Sequence, residues 1–212
     1  MRKIVYLIVF VVLAFSIKAE PLNVGVLIYD GVYVLDFTGP IEVFADTFIN
    51  DSTKAFNVFT VSKNNEKINA HSGLQVIPDH NFTEDINIDV LIIPGGNPAF
   101  VNADPEYLDW IKTHSERAKY TMSVCTGAFI LAKTGILDGL KATTWHGAQE
   151  KLQDLYPNIK VTADRYTDNG KILTTSGVSA GIDGSLYLVS KIFDKKTAKK
   201  AAEYMDYEYW KK

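Results

Sequence analysis

The chain has 212 residues, 47% of them apolar, with a formal charge of −3 and a single cysteine. That apolar content at this length suits one domain with a sizeable core, and the acidic balance disfavours nucleic acid, whose binding rests on Lys and Arg neutralising phosphates. One cysteine excludes an internal disulfide, so Cys125 is a free thiol.

In chain order, Arg2 and Lys3 precede an apolar run from Ile4 to Phe15, and Ser16-Ile17-Lys18-Ala19 follows. A basic start, a short apolar core and a small residue before a polar one describe a secretory signal peptide cleaved after Ala19. The run is shorter than the roughly 20 apolar residues of a membrane span; an uncleaved N-terminal anchor is the alternative. The expected organisation is therefore a leader at 1–19 and a single domain at 20–212, exported to a periplasmic or extracellular space and free of the membrane after cleavage. Loss of Arg2, Lys3 and Lys18 leaves 19 basic against 25 acidic residues, a formal charge of −6.

Leu22–Ile28 is a continuous apolar run, the pattern of a strand buried on both faces. Turn residues follow, and Pro40 at the first position predicts a helix over 41–49. A second strand is expected at Phe56–Val61, and Lys67–His71 and Leu74–Ile77 read as a small hairpin about Ser72-Gly73. Asp89–Ile93 is another buried strand, ending in Pro94-Gly95-Gly96. Asp104 as N-cap and Pro105 open a helix to about Arg117. Then come a strand at Tyr120–Val124, a helix at Thr126–Lys133 with Gly135 as C-cap, and a helix over Thr143–Tyr156. Two strands flank the turn at 168–170, and helices at Ala180–Ile192 and about Lys195–Tyr207 complete the order. Alternating helices and apolar strands imply a mostly parallel α/β sheet covered on both faces. No helix-turn-helix is visible, and little chain follows the last helix to hold one.

Sites in such sheets form outside the carboxyl ends of the strands. Asp36, Gly95-Gly96 and Cys125 all fall there. Ser123-Val-Cys-Thr-Gly127 has the small-x-nucleophile-x-Gly form of a nucleophile elbow, in which small residues let a strand turn sharply into a helix. Unpaired Cys is also among the most buried residue types, so an inert spacer is the competing reading. Lowering the thiol pKa from about 8.5 to about 6 needs ~3.4 kcal/mol. A helix dipole supplies at most ~2 kcal/mol, so further donors are required. A neutral, buried Asp36 can be one, acting also as proton donor or water positioner; capping or an Asx turn is its alternative role. Gly95 and Gly96 either make a turn or present amides to a developing negative charge. His71, His80, His114 and His146 lack metal-ligand spacing, and no metal or nicotinamide site is expected. His146 alone is a candidate partner for the thiol.

The segments LDFTGPIEVF (35–44), VLIIPGG (90–96), SVCTGAFILAKTGILDG (123–139), ATTWHG (142–147) and DNGKILTTSGVSAGID (168–183) together resemble the PfpI/ThiJ superfamily. Within it the likeness is to isonitrile hydratases and to the ligand domains of AraC-type regulators. The resemblance implies a three-layer flavodoxin-like sandwich, no cofactor, and a homodimer. It implies Cys125 as nucleophile, Asp36 as the acid, Thr126 beside the substrate, and Gly96 at the oxyanion site, next to the Gly95 read above. The implied reaction is hydration of a small-molecule isonitrile to an N-substituted formamide through a Cys125 thioimidate. The order Trp145-His146, reversed from the His-Trp of the hydratases, sets His146 apart from that pattern. Hydration of a 2-oxoaldehyde or hydrolysis of an amide on the same cysteine is a second expectation, and a non-catalytic ligand-binding or redox-sensing domain a third.

Overall fold

A computed structural model describes residues 20–50 and 52–208; the leader expected at 1–19 lies outside the described residues. A central sheet contains β1 (Leu22–Leu27), β2 (Phe56–Ser62), β3 (His80–Asn81), β4 (Val90–Ile93), β5 (Tyr120–Val124), β6 (Tyr166–Asp168) and β7 (Ile172–Thr175). Its order is β6-β7-β5-β4-β1-β2-β3. Every neighbouring pair is parallel except the hairpin β6–β7. The apolar runs of β1, β4 and β5 are central, and Val24, Val26, Val90–Ile93 and Met122 are fully buried because helices cover both faces.

On one side lie α1 (Val34–Ala45), α6 (Ala180–Ile192) and α7 (Lys195–Tyr204), packed on one another. On the other are α2 (Pro98–Asn102), α3 (Pro105–Arg117) and α4 (Gly127–Lys133); α5 (Gln149–Leu155) packs on the two-residue strand at 160–161. This is the expected three-layer sandwich. Asp104 caps α3 as read from sequence, its Oδ1 accepting from Glu106 N at 3.0 Å. The small hairpin is present, with Ile68–Asn69 antiparallel to Gln75–Val76. No helix among the described residues is long and apolar enough to cross a membrane.

Two departures matter for the site. Helix α1 begins at Val34, so Pro40 lies inside it rather than at its start. Packing explains this: Gly39 and Pro40 are buried against α6, where a Cβ on Gly39 would stand 3.1 Å from Ile182. Tertiary burial has overridden the local preference for Pro in a first turn. The consequence is that Asp36 sits in the first turn of a helix instead of a loop. The expected helix at 143–156 also starts late, with a 3₁₀ turn at His146–Ala148 leading into α5. Thr143 and Thr144 are fully buried and bonded sideways: Thr143 N donates to Thr174 Oγ1 at 2.7 Å and Thr144 Oγ1 to Cys125 O at 2.8 Å, while Thr143 Oγ1 has no hydrogen-bond partner.

Candidate active site

Cys125 directly follows β5 and stands in the left-handed region, with φ 55°. A non-glycine residue there is strained, and such strain persists only where the surroundings hold it. The holding groups are visible. Cys125 N is shared between Thr175 O and Ser176 O, both at 3.2 Å. Its carbonyl accepts from Ala128 N at 3.3 Å and from Thr144 Oγ1. Gly127, two residues on, lies so close to the Ile93 carbonyl that any Cβ would collide with it, which is why the elbow needs a residue without a side chain. Thr144→Val, which removes the hydroxyl and keeps the shape, is expected to lower the unfolding free energy by about 1 kcal/mol. Denaturant titration beside Thr144→Ser, which restores the bond, checks this.

Asp36 is fully buried at the first turn of α1. Its Oδ2 accepts from Gly95 N at 3.1 Å. Its Oδ1 has no hydrogen-bond partner of ordinary geometry, and the Cys125 thiol is the polar side chain acting on this carboxyl. Burial pushes Asp36 up to about 7, against smaller opposing pulls from Cys125 and the Gly95 amide. The neutral carboxyl anticipated from its apolar flanks is thus accessible near neutrality. The thiol behaves otherwise than expected. Burial first, and then the Asp36 charge, push Cys125 up to about 12, while the Thr126 N–H and hydroxyl pull it down less strongly. No pre-formed thiolate results. The two groups share protons as a pair.

The other site residues converge on the same spot. Thr126 Oγ1 donates to Gly96 O at 3.1 Å and accepts from Gly96 N at 3.0 Å. Both glycine amides are therefore engaged in this state, Gly95 by Asp36 and Gly96 by Thr126, and neither is an unspent oxyanion donor. Cys125, Thr126 and Gly96 line a cavity of about 310 Å³ together with Tyr33, Trp145 and Val178. His146 is exposed and packs on Trp145 instead, ring centroids 5.0 Å apart. The remaining histidines are placed elsewhere: His80 beside Glu84, His114 stacked on Trp110, and His71 edge-on to Tyr33. Among the described residues, no group of three or more His, Cys, Asp or Glu is arranged to hold a metal ion.

The DJ-1/PfpI family matches residues 23–191. The chain belongs to the DJ-1/PfpI family. An isonitrile hydratase of Pseudomonas putida is 33% identical to this family member over 187 residues, covering 88% of this chain and 78% of the hydratase. The HTH-type transcriptional regulator GbdR of Pseudomonas aeruginosa is 21% identical over 189 residues; that is 89% of this chain but 52% of the regulator, so the chain spans about half its length. Among solved structures, a ThiJ/PfpI family protein from Pseudomonas syringae superposes with a TM-score of 0.81 at 28% identity, covering 89% of this chain and 76% of that one. The elbow at Cys125 thus stands within a DJ-1/PfpI scaffold along nearly the whole chain.

Tyr33, Trp145, Val178 and Thr144 escaped the sequence reading. The available signal was the Thr143-Thr144-Trp145 triplet read as a strand. Successive side chains of an extended segment point to opposite sides, whereas a helix starting at 143 gives them the wrong phase.

Proposed function

We propose that the chain is a cofactor-independent hydratase that uses Cys125 to convert a small, uncharged isonitrile to an N-substituted formamide. One observation carries the reading: a strained elbow thiol opens into a cavity with a buried, uncommitted carboxyl oxygen of Asp36 beside it. The 33% identical hydratase supports the substrate class.

The proton inventory frames the mechanism. The thiol holds its proton more tightly than the Asp36 carboxylate would, so moving that proton to Asp36 is uphill, by less than the separate shifts suggest because the repulsion that raises the thiol vanishes once Asp36 is neutral. A turnover of about 10 s⁻¹ corresponds to a barrier of ~16 kcal/mol, so the transfer fits within a working step. Sulfur attacks the terminal isonitrile carbon as its proton passes to Asp36, and Asp36 returns that proton to the same carbon. The result is a thioimidate, Cys125–S–CH=N–R. Asp36, again a carboxylate, then takes a proton from water as its oxygen adds to the carbon, and passes that proton to the imine nitrogen. Collapse of the R–NH–CH(OH)–S adduct breaks the C–S bond, returns a proton to sulfur and releases R–NH–CHO. Negative charge in the first step develops on carbon, next to Asp36, rather than on an oxygen. A site whose Gly95 and Gly96 amides are already engaged suits that chemistry better than amide hydrolysis, which needs unspent oxyanion donors.

Purified protein offered n-pentyl isonitrile, a 2-oxoaldehyde and a simple amide is expected to form only N-pentylformamide, read by mass spectrometry. Product from the aldehyde or amide alone, or none from any of the three, would overturn the proposal.

A further inference from the structure

Trp145 occupies a place at the sulfur around which the neighbouring backbone is shaped. A Cβ on Gly177 would stand 2.7 Å from Trp145 Cδ1 and 3.1 Å from Cys125 Sγ. One on Gly147 would stand 2.5 Å and 2.6 Å from the far edge of the same indole, at Cη2 and Cζ3. Side chains at either position would collide with the ring, since real Cβ contacts do not come so close. The indole therefore lies with its pyrrole edge on one bare stretch of main chain and its benzo edge on another. Its own backbone is held too: Trp145 O accepts from Ala148 N at 2.8 Å, and the preceding Thr144 is bonded to Cys125 O. His146 packs on the indole as well.

The indole is thus bounded by main chain at both edges beside the sulfur. It is nevertheless 41% exposed, so it spans the distance from Cys125 to solvent. Tyr33, itself braced edge-on by His71 at 4.4 Å, and Val178 complete the walls. Apart from the Cys125 sulfur and the Thr126 hydroxyl, the side chains of the lining are aromatic or aliphatic, and none is charged.

We infer that Trp145 is the specificity-determining residue of this site: its indole narrows the approach to Cys125 to a slender, uncharged electrophile whose unbranched or flat apolar tail lies against the ring. The inference rests on the hydratase reading for its substrate class and adds to it the shape that is accepted. A linear isonitrile group can pass the indole end-on, whereas branching at the carbon next to nitrogen meets the ring.

The test compares the full chain with Trp145→Phe and Trp145→Ala. In the first arm, kcat/KM is measured for n-pentyl and tert-butyl isonitrile. Wild type is expected to prefer the straight chain, and Trp145→Ala to shift the ratio toward the branched substrate by at least tenfold, mainly through KM, with Trp145→Phe between them. A change of this size is ordinary for one or two carbon groups in a fitted apolar pocket. The second arm needs no turnover: native Cys125, the only cysteine, is alkylated at one pH by iodoacetamide and by the bulkier N-phenylmaleimide. Taking the ratio of rates cancels the thiolate fraction, and that ratio should fall at least tenfold in Trp145→Ala. If wild type turns over no isonitrile, the hydratase reading fails, and the alkylation ratio still judges Trp145. An alkylation ratio unchanged in both variants, or an unchanged substrate ratio where turnover exists, overturns the inference. Trp145→Phe retains an aromatic filler, so a misfolded alanine variant does not rescue it.

Discussion

Cys125→Ala is expected to lose isonitrile turnover by about 10⁴-fold or more in kcat, the scale of deleting a nucleophile from a site whose groups act together. The removed sulfur is buried against the Gly177 main chain, and the elbow is held by backbone bonds to Thr175, Ser176 and Ala128 that alanine still makes. The unfolding midpoint should therefore move little beside the catalytic loss. Cys125→Ser is a stricter control, because it keeps a hydroxyl at the same place. A serine is a far weaker acid than a thiol, so the uphill proton transfer to Asp36 becomes steeper still, and this variant is expected to be inactive too. The wild-type intermediate has a signature of its own. Addition to an isonitrile expels no leaving group, so a rapidly quenched reaction should show Cys125 heavier by the whole substrate. An acyl-transfer enzyme would retain only part of it. Turnover surviving in Cys125→Ala would mean that Asp36 activates water directly and that the thioimidate is not on the path.

Much of the fold was legible because buried parallel strands write themselves as short apolar runs. Leu22–Ile28, Asp89–Ile93 and Tyr120–Val124 all lie in the centre of the sheet. What local patterning missed depends on distant partners. Pro40 marks a helix start by preference, yet contact with α6 draws Val34–Gly39 into α1. Thr143 and Thr144 have neighbours in sequence that suggest a helix, but the Thr143 amide is bonded to Thr174 and the Thr144 hydroxyl to Cys125. The site divides along the same line. Cys125 and Gly127 were visible as an elbow because the turn is made within five residues. Asp36 stood out as an acid between Leu35 and Phe37, both apolar, although the helix that holds it did not. Tyr33, Trp145 and Val178 come from three separate connections, and nothing in their local sequence says that they face one cavity. The proton balance was hardest to foresee. A helix start after Cys125 argued for an acidic thiol, but α4 has only seven residues, and burial beside a carboxyl outweighs the Thr126 donors.

Asp36→Asn is expected to cut kcat by about 10²- to 10⁴-fold, the usual worth of a positioned acid–base group, and to abolish the main pH dependence of the wild type. The active form of the pair carries one proton, distributed between Sγ and the carboxyl. Below about 7 the pair holds two protons and the carboxylate needed as base is missing; above about 12 it holds none. Wild-type kcat/KM should therefore climb through about pH 7 and stay level over the accessible alkaline range, while the variant's residual rate stays flat. Stability runs in the opposite sense. The folded pKa of Asp36 is raised from 3.8 to about 7, so the native state binds the proton more tightly than the unfolded chain. Its contribution is fully present below about pH 4, declines as the pH rises to about 7, and changes no further above that. The span is ~4 kcal/mol at the unit conversion for a buried group. Asn cannot ionise, so the stability of Asp36→Asn minus that of wild type should increase by about this amount between pH 4 and pH 8. Other carboxylates with lowered pKa values, Asp104 and Asp194 among them, tilt both proteins alike and cancel in the difference. Denaturant unfolding of the two proteins at several pH values reads it directly. A flat difference would mean that Asp36 ionises freely in the folded state, and the shared-proton mechanism would fall with it. A growing difference together with a lost pH–rate inflection would tie the cost of burying this carboxyl to its work as the base for Cys125.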